Sequence, residues 1–304
     1  MKKNSFALLL FALFLSANCV NGQEPDIFDL LDEQYNSEPQ YTRATFKTTT
    51  LGLEQSVETR KKGTFEFVLG TRYWNIPLPV GVNRTSFVAD RFSGQLGANY
   101  AFSDTFTFGI GATSFDGILN SYGKYRLLRQ RDNGGPGIGI TLLQSASILT
   151  RSFSGVVLPQ NFSDRFNFAS KIIFARKFNS KLSLQVAPTY IRTSSERLNF
   201  TTTDFFGLTV GGRYKTSNHV SLISEFHYLG ARNSGPQGYN VFVFGANWEI
   251  GDIIMQFSLT NAKSFDEVSN ILYTPNNFNF NDGGLHLGVN ATYILHTKKK
   301  NKKK

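Results

Sequence analysis

The chain has 304 residues, a formal net charge of +10, a single cysteine, and 29 phenylalanines and 12 tyrosines against 2 methionines and 2 tryptophans. The charge is local: Lys2, Lys3 and six terminal lysines in Lys298–Lys304 carry eight of the ten, which argues against a basic nucleic-acid face. One cysteine, Cys19, excludes an intrachain disulfide, and past the first twenty residues no apolar run is long enough for a transmembrane helix.

Residues 1–22 read as a secretory signal peptide. Lys2 and Lys3 precede the apolar run Phe6–Leu15, and small or polar residues lead to Gly22. A lipoprotein anchor at Cys19 is the alternative, but Ser16, Ala17 and Asn18 lack the branched aliphatic and small residues such a site needs. Residues 23–63 follow as an acidic arm and a non-spanning segment. Glu24, Asp26, Asp29, Asp32, Glu33 and Glu38 suit a disordered periplasmic arm. Within it, Asp26–Leu31 could form one amphipathic turn that docks a partner. Phe46–Thr59 is strand-like, yet a thirteenth span would put the arm outside the cell. It is therefore expected at the periplasmic rim or folded into a lumen.

From Thr64 to His296 the chain alternates with period two, the pattern of strands with two different faces. Twelve segments start near residues 64, 91, 105, 118, 137, 165, 181, 204, 219, 240, 253 and 283, most of them ten to fourteen residues long. In Arg165–Phe178, Phe166, Phe168, Ile172 and Phe174 share one face, and Asn167, Ala169, Lys171 and Ala175 the other. Polar turns at Ser103-Asp104, Arg131–Pro136, Asn179-Ser180, Ser217-Asn218 and Gly251-Asp252 alternate with connections at 75–90, 116–117, 151–164, 193–203, 231–239 and 262–282, most of them long. Short turns on one rim and long loops on the other predict a transmembrane antiparallel up-and-down β-barrel of the outer membrane, all-β, about twelve strands, in contact with outer-membrane lipid. A soluble β-sandwich would also alternate, but its faces would be aliphatic. Here aromatics gather at strand ends (Phe92, Tyr100, Phe102, Phe178, Tyr190, Tyr214, Tyr228, Trp248, Tyr293), as in interfacial girdles, and the other face suits a wet lumen. Residues 297–304 form a lysine-rich tail, solvated or resting on anionic head groups.

Asp29–Glu33, Thr45–Thr49, Ser56–Glu58, Gly63–Phe67, Lys124–Gln130, Ala175–Phe178, Gly211–Lys215 and Phe257–Asn261 occur in an order that resembles a Bacteroidetes-type outer-membrane β-barrel family catalogued as a domain of unknown function (DUF5777-like). The resemblance covers nearly the whole mature chain and implies a gram-negative outer-membrane barrel. It implies no activity and no site residues. The chain departs from the family pattern at Thr71-Arg72-Tyr73-Trp74, where a His-Arg-Phe-Gly-like strand end is expected.

Strand parity points Glu66, Arg72, Lys124, Arg126, Lys171, Arg213, Glu225, His227, Glu249 and His286 into the lumen, with cations outnumbering carboxylates. One reading is a passage that favours small anionic solutes. The other is a salt-bridge network, with Glu66 and Glu225 paired to arginines, that plugs a narrow barrel. A non-conducting barrel could instead anchor a partner through its arm or through loop 262–282, whose Phe265, Leu272, Tyr273, Phe278 and Phe280 would face outward. A lipid-modifying enzyme ranks third: none of His219, His227, His286 and His296 belongs to a recognisable nucleophile motif, so no catalytic residue is assigned. No metal-ligand spacing occurs, and Gly134–Gly139 lacks the lysine of a phosphate loop, so no metal or cofactor is expected.

Overall fold

The computed structural model describes residues 40–75, 89–152, 158, 160–193, 204–230, 238–278 and 284–297, within which all that follows lies. The signal peptide, the acidic run 24–38, Phe280 and the terminal lysines lie outside the described residues.

Twelve strands close into one barrel. They are β1 (Thr64–Trp74), β2 (Arg91–Ala101), β3 (Phe106–Thr113), β4 (Ile118–Leu128), β5 (Gly139–Leu149), β6 (Phe166–Lys177), β7 (Leu182–Arg192), β8 (Asp204–Lys215), β9 (Val220–Leu229), β10 (Val241–Ile250), β11 (Ile253–Thr260) and β12 (His286–His296). Each pairs antiparallel with its neighbours in sequence, and β1 meets β12 from Thr64↔His296 to Tyr73↔Leu287. Closure leaves no unpaired edge, which is what lets a sheet stand in hydrocarbon.

The period-two pattern fixes the two faces. On β6, Asn167, Ala169, Lys171, Ile173 and Ala175 are buried while Phe168 and Ile172 are exposed. Phe92, Phe102, Tyr214, Tyr228, Trp248 and Tyr293 stand on the outer surface. The tightest turn, Gly251-Asp252, places Gly251 at φ 62°, a left-handed conformation that glycine adopts without strain. β3 and β11 have 8 residues, shorter than the sequence pattern suggests, and β12 begins at His286 rather than near 283. The residues before His286 belong to the preceding connection: Gly284 packs against Asn277.

The lumen is not an open wet channel. Residues 41–62 occupy it, entering beside the short turns, where Thr42 N donates to Gln130 O. The segment doubles back at Thr50–Gln55, where Leu51 N donates to Glu54 O, and leaves toward β1. The end of the supposed disordered arm is thus ordered, with Thr42 and Thr45 buried. The reason is apolar: Phe46, Leu51 and Val57 pack with Leu143, Ile173, Ala175, Ala187 and Ile223 of the inner wall. Burying each of the three stabilises the inserted state by ~1.5–3 kcal/mol.

The long connection between β11 and β12 fills the opposite end. It contains helix α1 (Glu267–Leu272), whose N-cap Asp266 accepts a hydrogen bond from Ser269 N. Val268, Ile271 and Leu272 pack with Ala169, Ile191, Phe205 and Leu229 of the wall. The outward-facing aromatic loop is therefore corrected in part: Phe265 and Leu272 are buried, whereas Phe278 meets Phe242 edge-on at 4.6 Å, on the strand face that also carries the exposed Phe244 and Trp248. An apolar inner wall near that rim draws the helix inward.

Candidate functional site

The filled lumen is the one place where buried charge concentrates. Glu225 on β9 anchors the turn of the inserted segment. Its carboxylate accepts from the backbone amides of Gly52 at 2.6 Å, Leu53 at 2.8 Å and Glu54 at 3.2 Å. Consecutive amides converging on one carboxylate form an anion-holding concavity. Gly52 eases that approach, since a Cβ there would sit 3.0 Å from Glu225 Oε2 and 3.1 Å from Val243 Cγ1 and would press both side chains back. His227 Nε2 lies 3.2 Å from Glu225 Oε2, and its Nδ1 lies 3.0 Å from Thr209 Oγ1.

Lys171 on β6 joins the two inserted elements. Its Nζ lies 2.7 and 2.9 Å from the two carboxylate oxygens of Glu54 and 3.1 Å from Glu267 Oε2 on α1. Burial pushes the Glu54 carboxyl up, but the charges of Lys171 and His227 outweigh that and hold it below the ordinary carboxylate range. Glu267 goes the other way: burial raises it, and Lys171 offsets only part of the rise.

Lys124 Nζ donates to Thr49 O at 3.1 Å, Gln55 Oε1 at 3.2 Å and Ser56 O at 3.3 Å. Glu66 accepts from Thr49 Oγ1 at 2.8 Å and from Arg60 Nε at 2.7 Å. Arg213 Nη1 reaches Thr45 O at 3.4 Å, and Gln185 Nε2 reaches Gln55 O at 2.9 Å. Near the short-turn rim Glu249 pairs with Lys47, and Arg126 lies 3.7 Å from Glu58. At the other end Arg72 Nη1 donates to Ala262 O at 3.2 Å, and its guanidinium lies 4.2 Å from the centre of the Phe265 ring. His286 meets Asn276 Nδ2 at 3.3 Å and the edge of Trp74.

Every residue that strand parity pointed inward thus contacts the inserted segment, the inserted loop or a neighbouring wall residue. The expected arginine partners of Glu66 and Glu225 are corrected. Glu66 takes Arg60, which comes from the inserted segment rather than the wall, and Glu225 takes three amides and a histidine. Arg72 and Arg126 are committed elsewhere, one to the loop and one to the rim. Sequence reasoning missed Lys47, Glu54, Glu58, Arg60 and Glu267. The available signal was the mixture in the strand-like, non-spanning segment of buried-type residues (Phe46, Leu51, Val57) with charges, which a polar wall with apolar patches accommodates.

Between segment, loop and wall a cavity of about 90 Å³ remains, lined by Thr48, Gln95, Asn120, Tyr122, Gln256 and Asn290 among others. Its lining mixes polar and apolar groups, and its volume is enough for a few waters. No group of three or more His, Cys, Asp or Glu able to hold a metal occurs among the described residues.

A family model described as a membrane bound beta barrel domain (DUF5777) matches residues 46–295. Comparison with curated proteins gives no match. Among solved structures the chain is similar to the NanC porin, at TM-score 0.49 and 4% identity over 76% of this chain and 100% of that one. It is also similar to the KdgM porin in complex with disordered oligogalacturonate, at TM-score 0.45 and 9% identity over 77% and 99%. The COG4313 outer membrane channel from Pseudomonas putida F1 aligns at TM-score 0.45 and 12% identity over 79% and 98%.

Proposed function

The chain belongs to the DUF5777 family of membrane-bound β-barrels and resides in the outer membrane, and we propose that it is a passage for small anionic solutes that its own residues 41–62 and 261–278 hold closed. The observation that carries this reading is the chemistry of the wall beneath the inserted segment. Glu66, Lys124, Lys171, Gln185, Arg213, Glu225 and Gln256 are all buried against it. Charged groups cost heavily to bury, and a barrel filled for rigidity alone is better served by apolar side chains. Such a wall suits water and solute once the segment leaves. Twelve strands enclose more room than the side-chain-filled eight-stranded barrels.

Charge supports the anionic preference. Arg72, Lys124, Arg126, Lys171 and Arg213 face Glu66, Glu225 and Glu249, an excess of two cations on the permanent wall. The inserted elements bring the carboxylates Glu54, Glu58 and Glu267 and the cations Lys47 and Arg60, and so offset part of that excess.

Thr209, His227 and Glu225 form a hydroxyl–imidazole–carboxylate chain, which invites an enzymatic reading. Thr209 and His227 are buried, and the Glu225 carboxylate is occupied by backbone amides, so the chain serves to orient Glu225. On this reading the protein is not an enzyme.

The test is the reversal potential of single channels formed by the mature chain in a planar bilayer under a salt gradient. The expected result is infrequent openings with anion preference. Silence from protein shown to be folded, or cation preference, contradicts the proposal.

A further inference from the structure

We propose that Lys171 is the binding point for the carboxylate of a small organic acid, and that Glu54 and Glu267 occupy its place while the lumen is closed. The inference rests on the passage reading and names the site and the chemistry that it needs. Lys171 belongs to the permanent wall, paired through its backbone with Leu143 and Thr189 on β5 and β7. Both of its carboxylate partners belong to elements added inside the barrel, one from the segment that enters beside the short turns and one from α1 in the opposite loop. Glu54 presents both oxygens, at 2.7 and 2.9 Å, the geometry of a free carboxylate held by one ammonium. Side-chain exposure is 1% at Lys171, 0% at Glu54 and 11% at Glu267, so the contact is shut off from water.

Withdrawing both carboxylates opens the lumen and leaves the ammonium facing water, without the charge-assisted hydrogen bonds that a carboxylate supplies. A solute carboxylate that fills the vacancy stabilises the open state and not the closed one, so it shifts the balance toward opening. Lys171 would then be both the latch that locks the two inserted elements together and the contact that a solute takes over when they withdraw.

The test uses the mature chain, the Glu54→Gln/Glu267→Gln variant and the same variant carrying Lys171→Met, each refolded in detergent and checked for β circular dichroism. Thermal midpoints are read against sodium acetate, with sodium chloride at matched ionic strength. The double variant should show an acetate-dependent rise with half-saturation about tenfold below that of the parent, equivalent to ~1.4 kcal/mol. The rise should vanish with Lys171→Met. If the double variant does not fold, Glu267→Gln alone serves, with a smaller shift in the same direction. An equal rise with chloride, or one that survives Lys171→Met, overturns the inference. Conductance of the same preparations separates the two claims: acetate binding without conductance defeats the passage reading and keeps the site, whereas conductance without Lys171-dependent binding defeats the site alone.

Discussion

Glu54 of the inserted segment and Lys171 of β6 meet at 2.7 Å with both side chains out of water, although 117 residues separate them in the chain. Removing one member of such a pair strands a buried charge, so Lys171→Met or Glu54→Ala should each cost ~3–5 kcal/mol of barrel stability. Replacing Glu54 by Ala and Lys171 by Met together should cost less than the sum of the single changes. Denaturant midpoints of the four proteins close the cycle, and strict additivity would mean that the pair is not coupled.

Gly52 lies against the Glu225 carboxylate with room for little more than a hydrogen atom. Gly52→Ala should push the turn off Glu225, with a loss of ~1–3 kcal/mol as amide–carboxylate bonds are weakened. Hydrogen exchange at the amides of residues 52–54 should accelerate, while exchange in the β-ladder stays slow. Unchanged protection at these amides would show that Glu225 does not hold the turn.

The two carboxylates around Lys171 respond to acid in opposite senses. Glu267 faces Lys171, Glu54 and Asp266, and its raised pKa means that stability is gained as pH falls through it, in the range above about 4.3. Glu54 faces Lys171, His227 and Thr209, and its lowered pKa means that its contribution is present above about 4.3 and lost below as the folded protein takes up the proton. Thermal stability should therefore rise slightly on mild acidification and fall on stronger acidification. Glu267→Gln should flatten the rise and Glu54→Gln should blunt the fall. A fall that begins directly from neutral pH in the parent chain would contradict these assignments.

Arg126 and Arg213 distinguish a passage from a permanently filled barrel. Arg213 donates to Thr45 O and Arg126 to Asp104 O near the short-turn rim, so neither is a main anchor of the segment. Arg126→Gln/Arg213→Gln should lower anion preference in single-channel records and cost little stability. A large stability loss with no change in selectivity would favour the anchoring barrel.

Much of the fold was legible because a barrel strand writes its two environments into alternate residues. Eleven of the twelve starts read from the alternation fall within two residues of the strands. The exception, β12, starts later because Gly284 and Leu285 precede its ladder, and periodicity does not register a loss of pairing. Glu66, Lys124, Lys171 and Glu225, which parity pointed inward, are buried in the structure. What parity could not supply is the occupant of that face. A polar wall looks the same whether water or a polar segment lies against it. The apolar inner residues Leu143, Ile173 and Ile223, which mark where Phe46, Leu51 and Val57 dock, are scattered over three strands. Loop 262–282 was read as outward for a similar reason: its apolar residues are as suited to an apolar inner rim as to a partner, and for Val268, Ile271 and Leu272 only the positions of Ile191, Phe205 and Leu229 decide between them.

The central claim is that residues 41–62 and 261–278 together close a lumen that would otherwise admit solute. The most direct measurement is single-channel conductance of the mature chain beside a variant that lacks residues 44–59 and has residues 263–278 replaced by a short Gly-Ser turn, both shown by circular dichroism to be folded β. The account predicts that the combined change converts rare openings into long-lived, anion-selective steps. A folded variant that conducts no more than its parent would contradict it.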